Sequence, residues 1–230
     1  LRTAEAAFQS GWDRIKLYFM LGLPTETDED ALEIARLIRE VRELGRKIRG
    51  RRVDISASVA TFVPKPHTPF QWLPLVDRET VERRQHDLVR HAGPGRQKLS
   101  YSDWDTTWLE ALLSRGDRRL ADVIERAWAD GARFDAWTEL FDVRRWQGAL
   151  DACGLDAAFY LSRTRHRDEI HPWSIIDAGI SDAFLWNEWE RALSGRLSPD
   201  CREQCHGCGI TVAFAAEHSM IDPSVWGCPA

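Results

Sequence analysis

The sequence predicts an α/β fold followed by a mostly helical extension. Three observations carry this: a nearly continuous apolar run from Ile15 to Leu21, a cleanly alternating stretch from Val53 to Val63, and one helix-length segment between them. Strand, helix, strand in that order predicts two parallel strands joined by a right-handed crossover. The loops after them, Tyr18 to Thr27 and Thr61 to Phe70, then open on one rim of the sheet, where α/β folds hold their ligands.

Leu1 to Ser10 reads as the tail of a helix stopped by Gly11. The first strand is interrupted only by Lys16 and is bounded by turn residues at Gly11 and at Gly22 to Pro24, as suits a strand buried on both faces. Thr27 or Asp28 caps a helix whose apolar stripe is Ala31, Ile34, Ala35, Ile38, Val41 and Leu44, with Gly45 as its expected end and an Arg-rich connection to Arg52. In the second strand Val53, Ile55, Ala57, Val59 and Val63 face one way, and Asp54, Ser56, Ser58 and Ala60 the other. Two explanations stand level. Small polar residues line the lumen of a barrel strand, or they are the wet face of an edge strand. Helices are then expected over Arg78 to His91, Thr107 to Ser114, Arg118 to Asp130, Trp137 to Ala152 and Asp182 to Leu193. A Gly93-Pro94-Gly95 turn and a short strand at Lys98 to Tyr101 interrupt them, and Gly116, Gly131, Gly154 and Gly195 act as stops.

A chain of 230 residues that is 43% apolar can bury a sizeable core, and its formal charge of −5 speaks against a general nucleic-acid or membrane-surface binder. The 11 Trp, mostly in the second half at helical spacings, read first as packing. No apolar run approaches membrane-spanning length, and no signal peptide is evident. A start at Leu1 inside a helix suggests a fragment or a processed product. Five Cys, three of them crowded at Cys201, Cys205 and Cys208, then point to a reducing, cytoplasmic setting and to metal in preference to disulfides.

Three motifs stand out. Gly22-Leu23-Pro24-Thr25-Glu26-Thr27 turns strand into helix: Gly lets a ligand approach the backbone and Pro fixes the exit, although taken alone most such turns are plain ones, with Glu26 and Asp28 favouring the helix N-terminus. Val63 to Trp72 carries prolines at 64, 66 and 69, which stiffen either a rim or a linker. Cys201-x3-Cys205-x2-Cys208 can converge on one metal, zinc or iron–sulfur, with the fourth ligand open among Cys228, His206, Cys153 and an outside molecule. Tetrahedral zinc needs a fourth protein ligand, whereas a three-cysteine 4Fe–4S cluster leaves one iron open. Arg115-Gly116-Asp117-Arg118-Arg119 reads as a capping turn with solvated charges.

Phe19 to Thr27 and Phe62 to Trp72 together resemble the second half of a radical S-adenosylmethionine (radical SAM) barrel, in the cobalamin-domain-linked branch of that superfamily. Arg115 to Arg119, Gly131 to Trp137 and Asp200 to Gly209 are similar to an uncharacterised subfamily of that branch, so that the likeness spans Leu1 to about Ile210. The resemblance implies the C-terminal half of a (β/α) barrel at 1–76, a helical extension at 77–199 and a Cys-rich tail at 200–230. It implies SAM as cofactor, met by Met20, Gly22 and Leu23 at the first rim and by Val63 and Pro64 at the second, through backbone and apolar contact with adenosine. The 4Fe–4S cluster that cleaves SAM to a 5′-deoxyadenosyl radical is expected on a Cys-x3-Cys-x2-Cys loop after the first barrel strand, which this chain lacks. A missing N-terminal half or a partner chain would supply it. Cys201, Cys205 and Cys208 have that spacing far beyond the barrel strands, and are expected to hold an auxiliary iron–sulfur or zinc site. The branch leaves cobalamin open as a further cofactor, and the substrate stays unidentified. The competing expectation is a non-catalytic, zinc-stabilised helical interaction module. An RNA-modifying enzyme would need a basic surface that the charge balance does not favour.

Overall fold

A computed structural model describes residues 1–92, 98–222, 225 and 228. In chain order the elements are α1 (Arg2–Gln9), β1 (Arg14–Leu21), α2 (Asp28–Arg49), β2 (Asp54–Thr61), α3 (Arg78–Ala92), β3 (Lys98–Tyr101), α4 (Trp104–Arg115), α5 (Leu120–Ala129), α6 (Val143–Ala152), α7 (Ala157–Leu161), α8 (Asp182–Leu193), α9 (Ile210–Ala213) and α10 (Ala215–Met220). The expected Gly93-Pro94-Gly95 turn lies outside the described residues. The chain divides into two compact units, Leu1–Val63 with Leu75–Glu110, and Pro64–Pro74 with Ala111–Ala230.

The first unit is α/β. Its three strands lie in the order β1-β2-β3, all parallel, and β1 and β2 pair in register from Arg14 beside Asp54 to Leu21 beside Thr61. The alternation in β2 sorts as the sequence expects: Val53, Ile55, Ala57 and Val59 are buried in a core with Ile34, Ala35, Ile38 and Val41 of α2 and Leu88 of α3. The opposite face is bare, with Tyr18 72% and Met20 49% exposed. Thr27 caps α2 by accepting from the Asp30 N–H, while the Asp30 carboxylate accepts from the Thr27 N–H, a reciprocal capping box.

Gly45 does not end α2, contrary to expectation. The helix runs to Arg49 and stops at Gly50, which is left-handed with φ +62°. Gly45 is instead a close approach: a Cβ there would stand 2.6 Å from Val53 Cγ2 and 2.7 Å from Phe8 Cζ. Its missing side chain lets α2 press onto α1 and the start of β2.

The second unit is helical among its described residues. The helix expected from Trp137 begins only at Val143, because Asp142 accepts from the Arg144 N–H and fixes the N-terminus there. The short helix α7, capped by Asp156, went unforeseen. Gly116 is a packing glycine, since a Cβ would lie 2.8 Å from the Leu112 carbonyl oxygen and 2.0 Å from Leu120 Cδ1. Trp72, Trp146 and Trp173 fill the interior as expected, but Trp128 and Trp137, like Trp12 in the first unit, are more than half exposed. No helix among the described residues is long and apolar enough to cross a membrane.

Candidate functional site

Because β1 and β2 are parallel and in register, their carboxyl ends stop side by side, and the Phe62 N–H donates to the Leu21 carbonyl at 2.8 Å. The first loop leaves through Gly22, whose φ of +83° and whose clearance require glycine: a Cβ would meet Val76 Cγ1 at 2.5 Å. The turn is then clasped from within. The Gly22 N–H donates to Glu26 Oε2 at 2.7 Å, and the same carboxylate pairs with Arg84 of α3. Arg84 also donates to the Glu26 carbonyl at 2.8 Å and to Asp28 Oδ1 at 2.9 Å. Glu26 and Arg84 are nearly enclosed, and burial pushes the Glu26 carboxyl up against the opposing pull of Gly22 and Arg84. Glu26 is thus the clasp of its own turn, beyond the helix N-terminal charge that the sequence suggested.

Met20 and Leu23 are exposed at this edge with Gly22 between them, whereas Val63 is buried at 6% exposure. Met20 stands on the bare sheet face with Tyr18 and the small side chains Ser56, Ser58 and Ala60. Lys16 Nζ lies 4.7 Å from the centre of the Tyr18 ring on that face. Pro64 belongs to the second unit and is buried, its carbonyl taken by Arg115 Nη1 at 2.8 Å. At this edge of the first unit the side chains of Met20 and Leu23 are therefore open to solvent, and that of Val63 is enclosed.

In the second unit the Pro-rich stretch is held by groups that sequence reasoning passed over. Arg115, taken there for a solvated charge, has no exposed surface: it donates to the carbonyls of Pro64 and Leu73, at 2.8 and 2.7 Å, and more weakly to that of Tyr160 at 3.4 Å. Burial, with like charge from Arg165 and Arg163, pushes its guanidinium down to about 10. The signal was present, because Arg115 continues the buried positions Ala111 and Leu112 at helical spacing. Gln71 is wholly buried, accepts from the Trp173 indole N–H at 2.8 Å and donates to Asp182 at 2.9 Å. His171 stacks on Trp173, its centroid 4.8 Å away, and neither ring nitrogen has a hydrogen-bond partner.

In the tail, Cys201 and Cys205 are exposed, and Cys208 and Cys228 half-buried. No disulfide joins any of the five cysteines. The Cys208 carbonyl accepts from the Ser181 N–H at 2.8 Å, which ties the tail to the start of α8. Among the described residues no three His, Cys, Asp or Glu side chains are grouped so as to hold a metal ion.

No family model matches the chain, and no solved structure matches it. It is similar to an uncharacterized protein of Methanocaldococcus jannaschii, 29% identical over 123 residues, a match that covers 53% of this chain and 25% of that protein. The chain thus spans about a quarter of the length of the relative it matches.

Proposed function

We propose that the chain is the C-terminal portion of a radical SAM iron–sulfur enzyme, contributing part of a (β/α) barrel and one side of the SAM site, with an auxiliary metal site at Cys201, Cys205 and Cys208. The observation that carries the reading is the pair of in-register parallel strands whose ends present Gly22-Leu23 and Val63, beside an uncovered face on which β2 contributes the small residues Ser56, Ser58 and Ala60 next to Tyr18 and Met20 of β1. Such a face suits a barrel interior that encloses a ligand.

Adenosine fits the chemistry of this edge. Met20 and Leu23 supply apolar contact, glycine keeps the backbone approachable, and the Glu26 clasp holds the turn in shape before any ligand arrives. A 4Fe–4S cluster held outside this chain would supply the electron for reductive cleavage of SAM. The residues here bind and orient the cofactor and keep water from its adenosine side.

The test uses the protein encoded by the complete reading frame, purified anaerobically, reduced with dithionite and given SAM. The expected products are 5′-deoxyadenosine and methionine, and Met20→Asp, at a half-exposed position, lowers the yield about tenfold or more while the fold persists. Absence of SAM cleavage together with one tightly held zinc would favour the non-catalytic, zinc-stabilised interaction module instead.

A further inference from the structure

We infer that a cavity of the second unit, lined by the turn after α4 and by the turn at 172–176, binds a small carboxylate with an aromatic or branched aliphatic body. Arg118 meets the charge, and Trp173, Ile175 and Ile176 meet the body. The inference stands on the second unit alone and does not depend on the SAM reading.

The cavity measures about 710 Å³, the size that small-molecule sites take. Its floor is Trp173, 7% exposed and fixed from several sides. The indole N–H donates to the buried Gln71, His171 stacks on the ring, and the Arg165 guanidinium lies 4.9 Å from the ring centre. Arg165 also donates to the Arg115 carbonyl at 3.0 Å, so one buried side chain ties the floor to the turn that carries Arg118. The second turn is closed on itself. The His171 N–H donates to Ser174 Oγ at 3.1 Å, the Ser174 N–H to the His171 carbonyl at 3.0 Å, and the Ile176 N–H to the Trp173 carbonyl at 3.0 Å. That turn holds Ile175 and Ile176 in water, 91% and 61% exposed. A single exposed aliphatic side chain is ordinary, but two in succession lining a cavity that also holds a buried Trp mark a surface built to be covered.

The charges of the lining select the head group. Asp117 and Arg119 answer each other, with Arg119 Nη2 2.7 Å from Asp117 Oδ2, and Asp117 also accepts from the Arg119 N–H at 3.0 Å. Arg119 lies in addition over the Phe159 and Tyr160 rings. Asp177, next after Ile176, accepts from the Gly179 N–H at 2.8 Å and is not part of the lining. Arg118 has no ion pair and no side-chain hydrogen bond among the described residues. The lining therefore keeps one uncompensated positive charge among largely apolar walls, which suits a singly charged carboxylate over a phosphate with its greater charge. A guanidinium also matches the carboxylate's two oxygens in shape.

Isothermal titration calorimetry of the full chain with 2-naphthylacetate, the uncharged 2-naphthylacetamide and acetate tests this. One 2-naphthylacetate should bind per chain, the amide about threefold or more weaker, and acetate without measurable heat. Added salt should weaken the acid and leave the amide unchanged. Arg118→Gln should bring the acid down to the affinity of the amide. Ile175→Ser combined with Ile176→Ser should weaken acid and amide alike, by about tenfold. Arg36→Gln, which removes an exposed cation of the first unit, should change neither. The three altered cavity residues are all exposed, so the fold should persist in circular dichroism. Failure of 2-naphthylacetate to bind one to one, equal affinity for acid and amide, binding that survives the cavity variants, or an equal loss in Arg36→Gln overturns the inference.

Discussion

His171 and Arg115 show how much of the second unit rests on single buried groups. His171 is 3% exposed, and burial, reinforced by Arg165, pulls its imidazole below its ordinary value of 6.5, while Glu169 and Asp182 pull the other way. The folded chain therefore binds fewer protons at this site than the unfolded chain does just below pH 6.5. Stability is full above that pH and falls as the pH drops below it. Thermal melts from neutral to mildly acidic pH are expected to show this decline, and His171→Phe should flatten it; an unchanged slope in the variant would place the acid sensitivity elsewhere. The role of His171 was not legible in the sequence, and that of Arg115 showed only as helical spacing from Ala111 and Leu112. A histidine between Ile170 and Pro172 carries no periodic cue, and Arg115 looked solvated because two further arginines follow within four positions. Burial of a charge depends on distant backbone carbonyls, those of Pro64 and Leu73, which no local window contains.

At the scale of elements, the sequence was informative wherever a single periodicity ruled. β1, β2, the stripe of α2 and the whole of α8 emerged close to their observed bounds. The misplacements at Gly45 and Trp137 differ in cause, the first lying in what the residue meets across space and the second in a local cap that the sequence reading passed over. Gly45 is occupied by Phe8 and Val53, and the start of α6 is set by Asp142. The α2 capping box gives a direct test. Thr27→Ala should cost about 1 kcal/mol, and Thr27→Ser nearly nothing, in urea unfolding followed by circular dichroism. A cost near zero for Thr27→Ala would mean that the Glu26–Arg84 clasp fixes the helix start by itself.

In the first unit the sheet is one-sided among the described residues: α2 and α3 pack on one face, and Tyr18 and Met20 stand exposed on the other. That asymmetry was half legible, because the alternation in β2 told polar from apolar but not why one face is wet, and β2 proves to be the central strand, not the edge strand that was one of the two expectations. It predicts opposite outcomes for neighbouring residues. Val59→Ala, at a site 1% exposed, should cost about 1–3 kcal/mol, whereas Ser58→Ala should stay within about 0.5 kcal/mol of wild type in the same unfolding assay. A substantial loss for Ser58→Ala would show that this face is packed in the working protein.

The route of the backbone between the two units also limits how such a protein can be inherited. The chain passes from the first unit to the second after Val63, back at Leu75, and over again after Glu110. A genetic crossover at any one of these points would leave a fragment of one unit attached to the other. Transplanting either unit intact requires three simultaneous breakpoints, which gene fusion rarely supplies. The two units should therefore travel through evolution as a single cassette, and a relative carrying one is expected to carry the other.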